Sequence, residues 1–375
     1  MIVPDIQKSK EFLRRMWQLE NSERPGFMIG YVGPKVKGSE PVQSALFSTG
    51  GKETVKHRLL DQKKYLDAQL QEIVSMLDLP GDYIPSLCPS LGVVAIASAF
   101  GAEVIWWEND FPAVKPFLSN NPQQVYDLEP PAITAGELGR ILDYTRFFIS
   151  ETKGTIPIRL TDIQGPLDNA SLIMGHNNLM MAMLSHPEQV HHLMRLVTGC
   201  MITFIKAQRG IVRQAGVEFV PTMFQPWLPD GAGISISNDD WVMISPEMHD
   251  EFHVPYLNAL SEEFGGIYLH SCGNWFHQLP GLKKIVNLRG IEFGASEVPY
   301  QAVLETLGGK IVLACRVGFN REKTFSSMED YVQKILQAAR TNCGLFLNID
   351  VTNGMIDENW PETDLDQIYQ LLRIK

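Results

Sequence analysis

The feature of this sequence that most constrains its fold is a recurring pairing of a short apolar run with a longer amphipathic stretch. The runs are largely apolar throughout rather than at alternate positions, which is typical of parallel strands covered on both faces. They cover residues 26–31, 156–160, 217–224, 266–270, 290–294, 310–315 and 344–349. Strands that alternate with helices predict an α/β fold with a parallel sheet.

The number of these runs favours a (β/α)8 TIM barrel in which one strand is not identified from the sequence. Two amphipathic stretches begin with Pro-Glu, at 187–188 and 246–247, and this pair favours a helix N-terminus. The alternative is an open doubly wound sheet. A G-x-G-x-x-G turn after the first strand would favour that alternative, and residues 30–38 do not supply one.

No low-complexity linker or tandem repeat divides the 375 residues. We therefore predict one domain over 1–375, with an N-terminal helical extension over 1–25. Residues 81–118 are predicted to be an insertion in the first half of the barrel. This insertion carries its own short strand at 102–107.

Composition excludes several kinds of partner. The chain has 32 Lys and Arg against 43 Asp and Glu, a net charge of −11, and no basic run, which argues against nucleic acid. No apolar run approaches the ~20 residues that a membrane span needs, and the N-terminus lacks the pattern of a signal peptide. Five scattered cysteines fit a reducing compartment. We expect a soluble, cytoplasmic protein.

A candidate metal site follows the predicted strand at 266–270. His270 ends this strand and Cys272 follows two residues later. Residues i and i+2 of an extended chain point to the same side, so the imidazole and the thiol can converge. This pair of ligand types suits zinc. The alternative is a packed thiol beside a hydrogen-bonded histidine.

A catalytic zinc site needs about three protein ligands, so a third residue must join this pair. Asp350 and Cys315 lie at the ends of predicted strands, where barrel active sites are found. Cys343 precedes a strand and is less favoured for that reason. Glu292, inside a strand, is a weaker choice. The sequence leaves Asp350 and Cys315 both open.

Other polar and aromatic residues after predicted strands are candidates for substrate binding. Paired acids can share a proton or bind a cation, and loop residues of this kind equally often cap helices or satisfy their own backbone. The predicted substrate-binding residues are Asp162, Gln164, Asp239, Asp240 and Trp275.

Several segments together resemble the uroporphyrinogen decarboxylase superfamily, which includes zinc-dependent methylcobalamin:thiol methyltransferases. The resemblance extends over most of residues 155–355 and more loosely over 24–118. It is carried, in this order, by residues 165–175, 186–194, 243–260, 266–282, 308–320 and 344–354. The superfamily implies a (β/α)8 barrel, in agreement with the pattern of apolar runs.

The sequence departs from the decarboxylases at the residues that handle their substrate. Tyr31 and Lys35 stand near the positions of two substrate-binding arginines of that family, and Gly92 stands at the position of its pocket aspartate. Asp350 and Val351 replace a late Gly-His pair. We therefore expect no uroporphyrinogen decarboxylation.

The methyltransferase branch is similar at His270 and Cys272, which the resemblance implies are zinc ligands. The third ligand of that branch is a cysteine, and its position falls near Asp350. The resemblance implies a zinc-dependent methyltransferase that activates a small-molecule thiol, with methylcobalamin or another corrinoid, carried on a partner protein, as the methyl donor. Two alternatives are a decarboxylase of a tetrapyrrole or other carboxylate, and a non-catalytic barrel that binds a corrinoid or tetrapyrrole.

Overall fold

The computed structural model describes residues 5–30, 54–118, 121–319, 321–349 and 361–372. Six parallel strands form its main sheet, in the order β1-β10-β9-β8-β7-β6, and two further pairs are β2-β3, which is antiparallel, and β4-β5, which is parallel. The strands are β1 Gly26–Ile29, β2 Glu103–Ile105, β3 Ala113–Lys115, β4 Ile158–Arg159, β5 Phe219–Val220, β6 Ile234–Ser237, β7 Ile267–Ser271, β8 Leu288–Gly294, β9 Val312–Arg316 and β10 Leu345–Ile349.

Helices connect most of the strands. In the described part of the chain they are α1 Ile6–Trp17, α2 Val55–Leu60, α3 Gln62–Leu77, α4 Ala95–Ala99, α5 Gly136–Glu151, α6 Pro166–Met174, α7 His176–Ser185, α8 Pro187–Gln214, α9 Pro246–Phe252, α10 Val254–Phe264, α11 Tyr300–Leu307, α12 Met328–Ala338 and α13 Leu365–Leu371. Short 3-10 helices cover Pro122–Asp127, Asp240–Met243, Phe276–Lys284 and Arg321–Lys323. Among the described residues, no helix has the length and apolar character that a membrane crossing requires.

Backbone hydrogen bonds extend the main sheet beyond its edge strands. Beside β6, the Ser235 N–H donates to the Pro221 carbonyl next to β5 (2.9 Å). Beside β1, the Asp82 N–H donates to the Phe27 carbonyl (2.8 Å), and Leu87 in the same segment bridges to β4. The strands therefore surround a common interior, as in the predicted (β/α)8 barrel.

Side chains alternate along the strands between that interior and the layer of helices. One apolar cluster fills the interior and includes Met28, Tyr268, Val312, Ala314 and Phe346. A larger cluster lies between the strands and the helices and includes Leu269, Phe293, Leu313, Cys315 and Leu347. A shift of one residue along a strand thus decides whether a side chain faces the interior.

Helix α1 packs against the N-terminal ends of the strands. Its Phe12, Leu13 and Met16 belong to the interior cluster. An added Cβ at Gly26, the first residue of β1, would lie 2.7 Å from the Phe346 side chain, so this close approach requires glycine. The interior is filled at this end, which leaves the opposite, C-terminal end of the strands for a site.

All seven apolar runs correspond to strands, whereas β6 in the main sheet and β3 beside β2 were not identified from the sequence. The amphipathic stretch that begins at Pro246 forms two helices, because α9 ends at Phe252 and α10 begins at Val254. Pro255 lies in the first turn of α10, and proline lacks the N–H that would continue a helix from the preceding turn. The short strand predicted at 102–107 is β2, paired with β3.

Candidate metal centre

Neighbouring parallel strands bring three polar side chains to the C-terminal end of the barrel interior. His270 of β7 is paired in register with Glu292 of β8, and Arg316 ends β9. His270 follows the interior residue Tyr268 by two positions, and Arg316 follows the interior residue Ala314 in the same way. Strand alternation therefore directs these side chains into the barrel.

Asp239, His270 and Cys272 form a cluster in which one ligand atom from each residue lies within 4.8 Å of the others. The Cys272 Sγ lies 3.5 Å from the His270 Nε2. The Cys272 N–H donates to Asp239 Oδ1 (2.7 Å), which ties the loop after β6 to the loop after β7. All three residues are half-buried, and all three side chains are ligand types for zinc.

The imidazole of His270 is held on two sides. Its Nδ1 is hydrogen-bonded to the Glu292 carboxylate, and its ring stacks on Phe224 with centroids 4.0 Å apart and planes 4° from parallel. Burial lowers the pKa of His270, but the charges of Glu292 and Cys272 outweigh burial and raise it to about 10. With Nδ1 engaged, Nε2 is the nitrogen that faces Cys272. A carboxylate behind a histidine is the usual arrangement for orienting a metal ligand.

Arg316 connects this cluster to two carboxylates. Its Nε lies 3.2 Å from Glu292, and its Nη2 lies 3.1 Å from Glu297. The same Nη2 lies 3.3 Å from the Cys272 Sγ. Burial raises the pKa of Glu292, yet His270 and Arg316 together hold it below its usual value. Arg316 therefore keeps positive charge beside the thiol.

The turn after Cys272 is fixed by Glu297. The Gly273 N–H donates to Glu297 Oε2 (2.9 Å), and the Phe319 N–H donates to Oε1 (2.7 Å). Gly273 has φ of +80°, a left-handed conformation that favours glycine. This conformation turns the chain away from the barrel immediately after the thiol.

The geometry of the cluster fits a zinc ion. In a tetrahedral site, Zn–S of about 2.3 Å and Zn–N of about 2.0–2.1 Å place the sulfur and nitrogen about 3.5 Å apart. The observed Sγ–Nε2 distance is 3.5 Å. Carboxylate, imidazole and thiol are all zinc ligands, and three of them leave one coordination position open. The residues present therefore fit zinc.

The cluster joins His270 and Cys272, and among the described residues its third member is Asp239 rather than Cys315. Cys315 is fully buried in the cluster between strands and helices, one residue out of phase with the inward Arg316. Burial raises the pKa of its thiol far above the ordinary value. Asp350 lies outside the described residues. Asp239, predicted to bind substrate, takes the third place.

Two other predicted pocket residues have structural contacts instead. Trp275 is fully buried in the outer cluster, stacked on Trp241 with centroids 5.6 Å apart, so it does not face the barrel interior. Asp240 is buried and its Oδ1 lies 3.0 Å from His176 Nδ1. Its backbone N–H donates to Asp168 Oδ1 (2.8 Å), which joins the loop after β6 to α6.

Asp162 lines a cavity of about 470 Å³, and the charges of His270 and Asp239 act on its carboxyl. Burial raises the pKa of its carboxyl, and Asp239 raises it further, while a hydrogen bond from the Gln164 N–H (3.0 Å) and the charge of His270 lower it. The balance is a raised pKa. Gln164 contributes its backbone here, in a left-handed conformation with φ of +57°.

Sequence reasoning missed Phe224, Glu297 and Arg316. The strand pattern could have found Arg316, because it follows the interior position Ala314 by two residues. Phe224 and Glu297 belong to loops, and no spacing in the sequence places them beside His270.

The fold and the cluster together define an α/β barrel with a candidate metal site at the C-terminal ends of β6 and β7. The chain belongs to the uroporphyrinogen decarboxylase (URO-D) family, whose model matches residues 88–349. This membership confirms the resemblance noted in the sequence. No curated protein shows significant sequence similarity to the chain.

Solved structures that are similar to this one include the following two. A methyltransferase from Methanosarcina mazei shares 14% identity, with 97% of each chain covered and a TM-score of 0.64. It confirms the barrel fold. A B12-independent methionine synthase from Shewanella sp. W3-18-1, in complex with selenomethionine, shares 13% identity over 93% of this chain and 96% of that one, with a TM-score of 0.43.

Proposed function

We propose that this protein is a zinc-dependent methyltransferase that activates a thiol and takes the methyl group from a methylated corrinoid. The observation that carries the proposal is the cluster of Asp239, His270 and Cys272. Catalytic zinc has three protein ligands and an open position, whereas structural zinc has four protein ligands. The open position would receive the sulfur of the substrate.

Zinc, when bound, lowers the pKa of a coordinated thiol, so that the sulfur is present as the more nucleophilic thiolate. The residues of the chain prepare this site. Glu292 and Phe224 fix the plane of His270. Arg316, 3.3 Å from the Cys272 Sγ, offsets part of the negative charge that the ligands bring together.

The proton of the incoming thiol needs an acceptor, and we assign this role to Asp162. Its carboxyl is buried in the lining of the cavity, and its pKa is raised. A carboxylate with a raised pKa is a stronger base than an ordinary one, so it accepts a proton more readily near neutral pH.

The methyl transfer itself is a displacement at carbon. The thiolate sulfur forms the new bond to the methyl carbon with its own electron pair, and the bond from that carbon to the donor breaks and leaves its pair on the donor. A corrinoid on a partner protein suits this step because cobalt can hold the pair. The similarity in fold to the Methanosarcina methyltransferase supports methyl transfer as the reaction class.

Uroporphyrinogen decarboxylation is less well supported. Gly92, which stands at the position of the pocket aspartate of the decarboxylases, lines the cavity and offers no side chain to a tetrapyrrole. Tyr31 and Lys35 lie outside the described residues. We retain the expectation that this reaction does not occur.

Zinc content and methyl transfer test the proposal together. Protein purified without chelator would be analysed for bound zinc and then incubated with methylcobalamin and 2-mercaptoethanol, with demethylation followed in the visible spectrum. Wild type should hold one zinc and turn over. Cys272→Ser and Asp239→Asn should lose both properties, because each removes a ligand while nearly preserving shape.

Cys343→Ser is the matched control, since Cys343 precedes β10 at the opposite end of the strands. It should retain zinc and activity. A wild-type protein that stays free of zinc after equilibration with the metal would contradict the proposal. Equal zinc content in wild type and Cys272→Ser would also contradict it.

A further inference from the structure

The cavity beside Asp162 has a mainly apolar lining and one guanidinium. Its apolar and aromatic lining includes Met28, Tyr65, Ile73, Phe111 and Met223. Arg159, at the end of β4, also lines it. Its volume of about 470 Å³ lies in the usual range for small-molecule sites, which combine an apolar lining with a few polar groups that fix orientation.

One wall of the cavity is held rigidly by α3. The Tyr65 hydroxyl donates to the Ser90 carbonyl (2.7 Å). The Gln69 side chain makes two hydrogen bonds to the backbone of Cys88, accepting from its N–H (2.7 Å) and donating to its carbonyl (2.8 Å). The Cys88 thiol is uncharged at neutral pH, because burial raises its pKa to about 12. The wall is therefore shaped in advance, and its thiol is neutral.

Arg159 is positioned by neutral groups. Its Nε donates to the Ser86 hydroxyl (2.9 Å), and its Nη1 donates to the Met223 carbonyl (2.7 Å). No ion pair within 4.0 Å joins this guanidinium to a carboxylate of the described residues, although Asp162 lines the same cavity. By contrast, the interior Arg316 is paired with two carboxylates.

A half-buried cation without an anionic neighbour is costly unless a ligand supplies the charge. The guanidinium still has donors that its two protein partners do not use, because arginine carries five N–H groups. Its planar fork matches the oxygens of a carboxylate, sulfonate or phosphate.

We propose that the cavity binds a small molecule with an apolar body and a single oxyanion group, and that Arg159 receives the oxyanion. Asp162 lines the same cavity, and the charges of His270 and Asp239 in the metal cluster act on its carboxyl. Placement of a reacting thiol in this cavity rests on the proposed function. Recognition of the anion by Arg159 does not depend on it.

Isothermal titration of the full chain, loaded with zinc, tests the proposal with three matched probes: benzoate, benzenesulfonate and the neutral benzamide. Both anions should bind wild type more tightly than benzamide does. Arg159→Gln should weaken both anions by about 10- to 100-fold, which is the range for losing one charge-assisted hydrogen-bonded pair, and should leave benzamide binding unchanged. Benzoate against benzenesulfonate distinguishes a carboxylate from a sulfonate site.

Arg146→Gln is the control for general charge, because Arg146 is exposed on α5 and pairs with Asp143 (2.9 Å). It should bind all three probes as wild type does. If Arg159→Gln does not fold, Arg159→Lys provides the test. Lysine keeps the charge but not the planar fork of arginine. The affinity for both anions should therefore fall less than tenfold, and the affinity for benzamide should not change.

Equal affinity of wild type for benzoate and benzamide, or no binding of any probe, would overturn the proposal. Loss of all three probes in a folded Arg159→Gln would assign Arg159 a purely structural role and would also overturn it. Zinc content measured on the same samples separates this failure from that of the proposed function. Intact zinc binding without anion preference would refute only the anion site.

Discussion

Replacement of Glu292 by glutamine tests whether this carboxylate orients the histidine of the candidate metal site. One oxygen of Glu292 is hydrogen-bonded to His270 Nδ1, and the other lies 3.2 Å from Arg316 Nε. Glutamine preserves the size of the side chain and removes its charge. Arg316 keeps Glu297 as an ionic partner, so the fold should survive the change.

Zinc affinity should fall in Glu292→Gln because His270 loses its charged partner. Removing an outer partner of a metal-binding residue typically costs 10- to 100-fold in metal affinity, which corresponds to about 1.4–2.7 kcal/mol. Glu292 is only 3% exposed, so water cannot replace the lost charge. The glutamine amide can also present an N–H to Nδ1, which works against the tautomer with a free Nε2. Both effects place Glu292→Gln near the upper end of the range.

Competition with a chromophoric chelator at fixed pH measures the zinc dissociation constant of wild type and Glu292→Gln. Glu292→Asp should recover part of the affinity, because it restores the charge at a shorter reach. Glu305→Gln is the control: Glu305 is exposed on α11 and paired with Arg340, so its loss should not alter zinc binding. An unchanged dissociation constant in a folded Glu292→Gln would refute the reasoning.

Further predictions concern stability, specificity and the reaction that is not expected. Burial holds the pKa of His249 at about 4, against 6.5 in its ordinary state. Between these pH values the unfolded chain binds one more proton than the folded chain, so acidification from pH 7 to 4 should lower the free energy of unfolding by about 3 kcal/mol. His249→Gln should not show this loss when urea unfolding is measured at each pH. Cys315→Ala should leave zinc stoichiometry at the wild-type value in elemental analysis, since Cys315 lies in the outer cluster. Gly165→Ala would place a Cβ 2.3 Å from the Ser237 carbonyl oxygen and should destabilise the fold by about 1–3 kcal/mol. Gly199→Ala has open space on α8 and should stabilise the fold by up to about 1 kcal/mol in the same denaturation assay. Incubation with uroporphyrinogen should yield no coproporphyrinogen at an enzymatic rate by chromatography.

The strands of the barrel were predictable because each buried strand is a run of apolar residues bounded by helix-forming sequence. β6 was not identified because it is a four-residue Ile-Ser-Ile-Ser segment whose two serines are buried. Its Ser235 hydroxyl accepts from the Met223 N–H (3.0 Å). An alternating pattern of this length does not distinguish a buried strand from a loop.

The convergence of His270 and Cys272 was predictable from the sequence, whereas the presence of Asp239 beside them was not. His270 and Cys272 occupy alternate positions at the end of a strand, and alternation alone directs them to one point. Asp239 joins them because Ser237 of β6 pairs in register with His270, and the sequence does not specify a register between strands. Cys315 does not face the barrel interior, because the inward position belongs to the next residue, Arg316.

X-ray absorption at the zinc edge of the metal-loaded protein tests the central claim most directly. The account predicts one sulfur ligand at about 2.3 Å, from Cys272, with nitrogen and oxygen ligands at about 2.0–2.2 Å from His270 and Asp239. A thiol such as 2-mercaptoethanol should add a second sulfur at the open position. A spectrum without sulfur, or one that Cys272→Ser leaves unchanged, would contradict the account.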